Sequence, residues 1–558
     1  MKHALTASLL FAASAACAQQ IYPQGAEQKK YIAFGWEYAY VTPQDFLDNV
    51  DQFMATPIDG VGINVLGDKA AGRRYQCFRE ILHKPLWTKQ TLGNLVAPLR
   101  KMAAYPCFRE SFLGGWQPPK KRLAWTDDEA WSVASNNLRT VTWLAREAHL
   151  PGIKFDIEDY HNQKQFFRVD DDPPYPELVT IVRQRGREVF GGIFREYPDV
   201  TLFMYWLLSD APYRHVETDL PGLMRERGDL WWAFVNGLLD VIPPEATVVD
   251  GSEDAYKYEA ARRDFHSEYV RIFNWDLPLV MKENRAKYLS QVSLSFGLYL
   301  DMYVNDENAG WYFGPVDGSR LKHFERNLAQ ATSAARKYVW FWSECGCWTR
   351  WSEELRKDPE RLQAKARLLW EDAIPGGIFA GMRAIKDPGG FLKPRLEKAI
   401  VSGELKSEMD GKSFQTWKDS APKGKDGKSS EAPGRLYAEN GELRGEGLIY
   451  GGCFHNLFEN VRQGDVYFLK GFVKGEHVSA GVSYKDFRGK WLFGVKAMLI
   501  PGSVGADGWR EVCGFVAVPD IARDMNVTLG FKGQKDGEIS AYRDFGIYNV
   551  SNYDGWKK

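Results

Sequence analysis

The feature that most constrains the fold is an alternation that runs from about Tyr31 to Ala384. Short apolar segments, each ending in polar or acidic residues, give way to longer stretches of helical character. The apolar segments are YIAFGWEY (31–38), GVGINVL (60–66), CFRESFLGGW (107–116), GIKFDIEDY (152–160), TLFMYWLLSD (201–210), TVVDGSED (247–254), LYLDMYVND (298–306) and YVWFWSE (338–344). Between them, DDEAWSVASNNLRTVTWLAREAHL (127–150) spaces Trp131, Ala134, Leu138, Val141 and Ala145 by threes and fours, the signature of one apolar helical face. PELVTIVRQRGREVFGGIFREYP (176–198) and SRLKHFERNLAQATSAARKY (319–338) read the same way. Eight strands with interleaved helices predict an α/β fold, a (β/α)8 TIM barrel. The rival is a doubly wound open sheet. A dinucleotide-binding version of it would carry a Gly-rich phosphate fingerprint after the first strand, and there is none here.

From about Lys412 the pattern changes. SFQTWK, RLYAENGELRGEG, GDVYFLKGFVKG, VSAGVSYKDFRGKWLFG, WREVCGFVAVP, MNVTLGFKG and ISAYRDFGIYNV are short strands punctuated by Gly, Asp and Pro. That predicts an all-β sandwich of jelly-roll type. The Lys-, Ser-, Gly- and Pro-rich stretch 418–434 reads as a loop in or beside it. The expected organisation is a barrel over 19–395, a linker over 396–411 and a sandwich over 412–558.

The first eighteen residues have a signal-peptide layout. Lys2 supplies a positive start, Leu5 to Ala16 form an apolar run too short to span a bilayer, and Ala16-Cys17-Ala18 is an A-x-A cleavage site. Export to the periplasm or the medium is expected, with a mature chain from Gln19. Cys17 also offers a weaker lipoprotein reading, in which the chain is lipid-anchored there. No second apolar run is long enough to span a membrane. An exported chain permits disulfides, and Cys77–Cys107 and Cys453–Cys513 are the pairs to test first among Cys77, Cys107, Cys345, Cys347, Cys453 and Cys513. The net charge of −1, from 72 basic and 73 acidic residues, gives no basic field for nucleic acid. Twenty Trp and 14% aromatic residues are the compositional anomaly. They serve either a large core or the stacking of sugar rings.

In a barrel the catalytic side chains come from the C-terminal ends of the strands. Alternation puts Lys154, Asp156 and Glu158 on one face of strand four, and Phe155, Ile157 and Asp159 on the other. Carboxylates this close repel, so one can hold its proton near neutral pH. Other strand ends supply Trp36 and Glu37, Arg109 and Glu110, Asp210, then Asp250, Glu253 and Asp254, then Asp301, Asp306 and Glu307, and finally Glu344. Trp36, Trp116, Trp206, Trp311, Trp342 and Trp348 are expected to line the same mouth. Such a ring suits glycoside hydrolysis, which needs one protonated acid and one carboxylate flanking an oxocarbenium-like centre. The expected catalytic set is Asp156 and Glu158 with Asp250 or Glu253. The expected sugar contacts are Trp36, Glu37, Arg109, Glu110, Lys154, Trp206, Asp210, Trp342 and Glu344. Asp159 and Asp254 read as caps, and His161 and His215 as binding or structural residues. No Ser-His-Asp or H-E-x-x-H arrangement stands out, and neither a metal nor a cofactor is expected at the site. A structural calcium ion in the sandwich is compatible with the pattern.

GIKFD (152–156) resembles the strand-four motif of retaining α-galactosidase-type barrels, in which Lys-x-Asp places an aspartate nucleophile after a sugar-binding lysine. That resemblance implies Asp156 as nucleophile, Lys154 as a hydroxyl contact, and Asp250 in TVVDGSED as acid/base. DIE (156–158) also resembles the end of the chitinase-type strand-four motif, in which the glutamate is the acid, although Ile153 and Lys154 replace that motif's earlier residues. The stretch 507–548 resembles the last strands of a jelly-roll carbohydrate-binding module, with Tyr484, Trp491 and Trp509 as candidate stacking residues. The expectation is an exported glycoside hydrolase acting on oligo- or polysaccharides, with retention favoured by Lys-x-Asp. The alternative is a non-catalytic glycan-binding protein on a degenerate barrel.

Overall fold

The computed structural model describes residues 29–35, 40–65, 81–83, 85–116, 119, 121–160, 162–209, 211, 219–259, 265, 268, 271–357, 368–387, 414–418, 434–458, 460–462, 465–498, 500–518 and 522–550. The signal-peptide reading, the linker, Cys17 and Cys77 lie outside these residues, and so do Trp36, Glu37, His161, Asp210 and His215.

Nine parallel strands make the first sheet: β1 (Lys30–Gly35), β2 (Gly60–Ile63), β3 (Phe112–Gly114), β4 (Gly152–Phe155), β5 (Thr201–Met204), β6 (Thr247–Asp250), β7 (Val292–Leu294), β8 (Phe296–Tyr299) and β9 (Tyr338–Ser343). Their order is β7-β6-β5-β4-β3-β2-β1-β9-β8. The two ends of that order, β7 and β8, are consecutive in the chain and separated only by Ser295. They are one wall segment with a break, so the sheet returns on itself as the expected eight-walled barrel. Every strand is shorter than its apolar run suggested. Strand seven is displaced as well: it occupies 292–299, and Leu300–Tyr303 is a 3-10 turn.

Four long helices pack outside: α1 (Asp128–Glu147), α2 (Tyr175–Glu196), α3 (Trp231–Val241) and α4 (Arg320–Ala334). The starts of α1 and α4 follow from capping chemistry. The Asp127 side chain accepts from the Ala130 N–H at 3.0 Å, and the Ser319 hydroxyl accepts from the Lys322 N–H at 3.3 Å. The face read from sequence is the buried one: Trp131, Ala134, Leu138, Val141 and Ala145 of α1 are all at or near zero exposure.

The lumen is filled by aromatic rings. At the N-terminal end Phe112 and Phe203 lie 5.2 Å apart, and Tyr338 closes on both at 5.6 and 5.9 Å. Above them Phe34 meets Tyr205 and Trp340 at 5.4 and 5.6 Å. Two glycines make this crowding possible. A Cβ on Gly62 would fall 2.6 Å from the Phe34 ring and 3.3 Å from the Lys154 stem, and one on Gly297 would fall 2.6 Å from the Tyr256 ring and 2.7 Å from Trp340.

Two small strands, β10 (Gly346–Cys347) and β11 (Leu368–Leu369), pair beside the barrel. The C-terminal region is two antiparallel sheets. One is formed by β12 (Phe414–Lys418), β15 (Tyr450–Phe458), β21 (Asp524–Lys532), β17 (Val478–Lys485) and β18 (Trp491–Met498). The other is formed by β13 (Arg435–Glu439), β14 (Glu442–Glu446), β22 (Ile539–Asn549), β16 (Val466–Lys474), β20 (Trp509–Ala517) and β19 (Ile500–Val504). Inward residues of both sheets, including Leu469, Val482, Val512, Val527, Phe531 and Ile547, make a second core separate from that of the barrel. The Gln330 side chain of α4 bridges the two regions, donating to the Val518 carbonyl at 2.7 Å. Cys453 and Cys513 stand on different sheets, and Cys107 is a buried free thiol. No helix among the described residues is long and apolar enough to cross a membrane, and no group of three or more His, Cys, Asp or Glu among them could hold a metal ion.

The lumen glycine generates a stability prediction. Gly297→Ala is expected to lower the free energy of urea unfolding by about 1–3 kcal/mol, the usual cost of overpacking. Gly93 has helical φ −62° and open space where a Cβ would go. Gly93→Ala is therefore expected to be neutral or to stabilise by about 0.4–1 kcal/mol. Equal effects at the two sites would contradict the packing described.

Candidate active site

Lys154 is the third residue of β4, and Asp156 follows one residue past its end. Both point into the barrel and are 7% and 6% exposed. The Lys154 ammonium donates to the Tyr205 hydroxyl at 3.1 Å and lies 5.2 and 5.5 Å from the Tyr205 and Phe34 rings. Burial in this aromatic box pulls its pKa down to about 8, against the nearby charges of Asp156 and Glu253. Burial pushes Asp156 up to about 6, and Lys154 and the Glu158 N–H oppose the rise. That N–H donates to Asp156 Oδ1 at 3.1 Å, while the Asp156 N–H donates to the Trp116 carbonyl at 3.0 Å.

Glu253 comes from a 3-10 turn, Glu253–Lys257, just after β6. It is 9% exposed, and its Oε2 is buried with no hydrogen-bond partner among the described residues. Burial holds its pKa well above the carboxylate range, and the charges of Glu158 and Asp156 raise it further. The Tyr256 hydroxyl lies beside Glu253 and eases that rise, though it is outside hydrogen-bond geometry. Glu158 is half-buried, and its carboxylate accepts from the exposed Tyr160 hydroxyl. Carboxyl groups from the ends of strands four and six therefore share one low-dielectric mouth that raises both. The rise of Asp156 is opposed by a cation and an N–H, whereas that of Glu253 comes from burial and is reinforced by the Glu158 and Asp156 charges.

The neighbouring Asp250 has a different task. It is fully buried and accepts from the backbone N–H groups of Leu208 and Ser209 at 3.0 Å and of Ser252 at 3.2 Å, as well as from the Ser209 hydroxyl. It ties the loop after β5 to the turn after β6. Ser252, between Asp250 and Glu253, takes φ 43°, a left-handed conformation that is strained for a non-glycine residue. Behind it Glu268, 2% exposed, accepts from the Tyr258 hydroxyl at 2.7 Å and from Arg271 Nε at 3.0 Å, while Arg271 also reaches the Ser209 and Ala211 carbonyls. This buried network fixes the turn that presents Glu253.

Several expected site residues belong elsewhere. Arg109 and Glu110 precede β3, because that strand is only 112–114 rather than the longer apolar run. They therefore lie at the opposite end of the barrel. Glu110 accepts from the Tyr338 hydroxyl at 2.8 Å and pairs with Lys337 at 3.0 Å, and Arg109 is exposed. Trp116 is buried in a cluster with Trp131 and Phe166, and Trp348 packs on Phe341 and Phe379; both are core. Asp301 is a bracket, accepting from the Glu344 and Cys345 N–H groups at 3.0 and 3.2 Å. Asp159 organises its loop by accepting from the Gln163 and Lys164 N–H groups. Trp342 is at the mouth, edge-on to Tyr205 at 6.2 Å, and Trp206 and Glu344 are half-buried beyond their strand ends. In the sandwich only Trp491 of the three aromatic candidates is open, at 41% exposure; Tyr484 is core, and Trp509 is covered by the Arg543 guanidinium at 4.3 Å.

The residues missed by sequence reading are Tyr205, Trp340, Tyr256 and Tyr299. Tyr205 and Trp340 stack at 4.7 Å and 10° beside Lys154, and Tyr256 touches Trp340 at 5.3 Å and Tyr299 at 5.5 Å. Alternation could have found two of them. Phe203 and Tyr205 share a phase, as do Tyr338, Trp340 and Trp342. Tyr256 lies in a turn that has no periodicity to read.

No protein-family model matches the chain, and no curated protein matches it. Among solved structures, one described as a glycoside hydrolase is similar over 91% of this chain and 93% of its own, at 9% identity and a TM-score of 0.30. The C-terminal family 22 carbohydrate-binding module of Clostridium thermocellum Xyn10B is similar over 26% of this chain and 91% of its own, at 12% identity and a TM-score of 0.17. The enzymatically active domain of bacteriophage CBA120 tailspike protein 4 is similar over 25% of this chain, at 8% identity and a TM-score of 0.19. This chain spans only 19% of that structure's length.

Proposed function

We propose that the chain is a glycoside hydrolase acting on oligo- or polysaccharides with retention, in which Asp156 is the nucleophile and Glu253 the acid/base. One observation carries this reading: the strand-four and strand-six carboxyl groups share a buried mouth with unequal support, Asp156 beside the Lys154 ammonium and a backbone N–H, and Glu253 beside the charges of Glu158 and Asp156. Pairs of carboxyl groups separated in this way divide the acid and base roles at one pH. Glu253 gives its proton to the glycosidic oxygen as the bond to the anomeric carbon breaks. Asp156 closes on that carbon to form a glycosyl ester. Glu253, now ionised, takes a proton from water, whose oxygen attacks the same carbon and releases Asp156. Lys154 keeps Asp156 anionic and offers its N–H to a ring hydroxyl, and Trp342 and Tyr205 wall the site from water. Export, as the first eighteen residues suggest, would put such an enzyme where polysaccharides are met.

Three outcomes are expected. Glu253→Gln lowers turnover of an unactivated oligosaccharide by about a hundred- to ten-thousandfold. With a glycosyl fluoride, whose leaving group needs no proton, it spares kcat/KM but slows kcat, because Glu253 is also the base that activates water in the second step. Asp156→Asn abolishes turnover of both substrates, and NMR of the wild-type reaction shows the first-formed anomer with retained configuration. If neither substitution alters turnover while glycan binding persists, the chain is a glycan-binding protein instead.

The pH profile of kcat/KM is expected to be bell-shaped. Its acid limb lies near 6, where Asp156 must lose its proton, and its alkaline limb falls as Glu253 loses its own. Lys154→Met removes the cation that lowers the Asp156 pKa, so the acid limb moves to higher pH. Glu158→Gln removes a like charge that raises Glu253, so the alkaline limb moves to lower pH. Shifts in the reverse directions would contradict the electrostatics described.

Asp250→Ala is expected to act through the fold. It frees several buried donors, each costing about 1–3 kcal/mol, and lowers the unfolding midpoint. Glu110→Gln, at the far end of the barrel, leaves kcat unchanged. A normal melt with lost turnover in Asp250→Ala would return Asp250 to the chemistry.

A further inference from the structure

A continuous aromatic path leads out of the mouth. It runs from Tyr205 and Trp340 through Tyr256 to Tyr299, and Tyr299 meets Trp311 edge-on at 5.6 Å and 66°. Trp311 ends the path and is 40% exposed. The ring is held in place. The Lys257 ammonium lies 5.2 Å from its centroid and pairs with Asp254 at 3.5 Å. The Trp311 carbonyl accepts from the Asn305 side chain at 2.8 Å. The loop carrying it is pinned on both sides, by the Asn305 N–H on the Asp301 carbonyl and the Phe313 N–H on the Met302 carbonyl, both at 2.8 Å. A large apolar ring fixed in this way and still open to solvent is a stacking surface.

Its place relative to the chemistry assigns its ligand. Lys257 and Asp254, which hold Trp311, belong to the same five-residue turn that presents Glu253. In the reading above, which this inference rests on, Glu253 protonates the departing oxygen, so its side of the mouth is the leaving-group side. We propose that Trp311 is the floor of a subsite for the departing sugar, stacking the apolar face of a pyranose ring on the indole, so that oligosaccharides are preferred over glycosides with small leaving groups. Lys257, beside the ring, is within range of that sugar's hydroxyls.

The test compares an oligosaccharide with the glycosyl fluoride of the same sugar, whose leaving group cannot reach Trp311. Trp311→Ala is expected to lower kcat/KM for the oligosaccharide by about tenfold or more, mostly through KM, and to leave the fluoride unchanged. Trp311→Phe should restore most of the loss, which a general loosening of the loop would not allow. Equal loss on both substrates, or loss on neither, overturns the subsite. If the wild type cleaves no glycoside at all, the hydrolase reading fails. Calorimetric titration of wild type and Trp311→Ala with the oligosaccharide then decides the subsite: tighter binding by the wild type supports it and equal affinity overturns it.

Discussion

The structure depends on keeping a lysine charge inside a barrel. Lys154 is surrounded by Phe34, Tyr205 and the wall of β2, where water would otherwise stabilise an ammonium ion. Its compensation is local: one hydroxyl, two ring faces and the anionic carboxylate two residues along the same strand face. Gly62 is part of the arrangement, because a side chain there would press on the Phe34 ring and the Lys154 stem. The same desolvation lifts Asp156 and lowers Lys154, which turns a structural cost into groups that titrate nearer neutrality.

The second carboxylate is held by a different device. Glu253 is carried on a turn that contains a left-handed serine and is anchored by Asp250 below and the Glu268–Arg271 pair behind. Strain of this kind persists only where the surroundings overdetermine the backbone, and here four hydrogen bonds to Asp250 supply that constraint. Rigidity matters because Glu253 Oε2 has no hydrogen-bond partner among the described residues to orient it. Its position is set by the turn, and its protonation by burial beside two other carboxylates.

The barrel and sandwich were legible because both write their periodicity into the chain. Threes and fours marked the buried face of α1, and twos marked Lys154 and Asp156 as neighbours on one face. Strand ends were less legible. An apolar run does not say where ladder hydrogen bonding stops, so CFRESFLGGW looked like one strand and Glu110 like a mouth residue. The strand itself is Phe112–Gly114, and Glu110 lies before its start, at the barrel floor against Tyr338 and Lys337. Tryptophans misled for a related reason. Trp116 and Trp348 follow strand ends, as mouth residues do, but their rings turn into the helix layer.

By itself the sequence determined the alternation, hence the barrel, and the charge pattern at the end of strand four, hence a lysine and an aspartate facing one lumen. Both follow from the two-residue repeat of a strand and the near-fourfold repeat of a helix, which are properties of neighbours along the chain. Only the tertiary structure gave Asp250 and Glu253, residues three apart, different surroundings. Asp250 meets the donors of a loop more than forty positions earlier, while Glu253 meets the carboxylates of strand four. Those encounters arise from barrel closure, which brings together groups that no local periodicity relates.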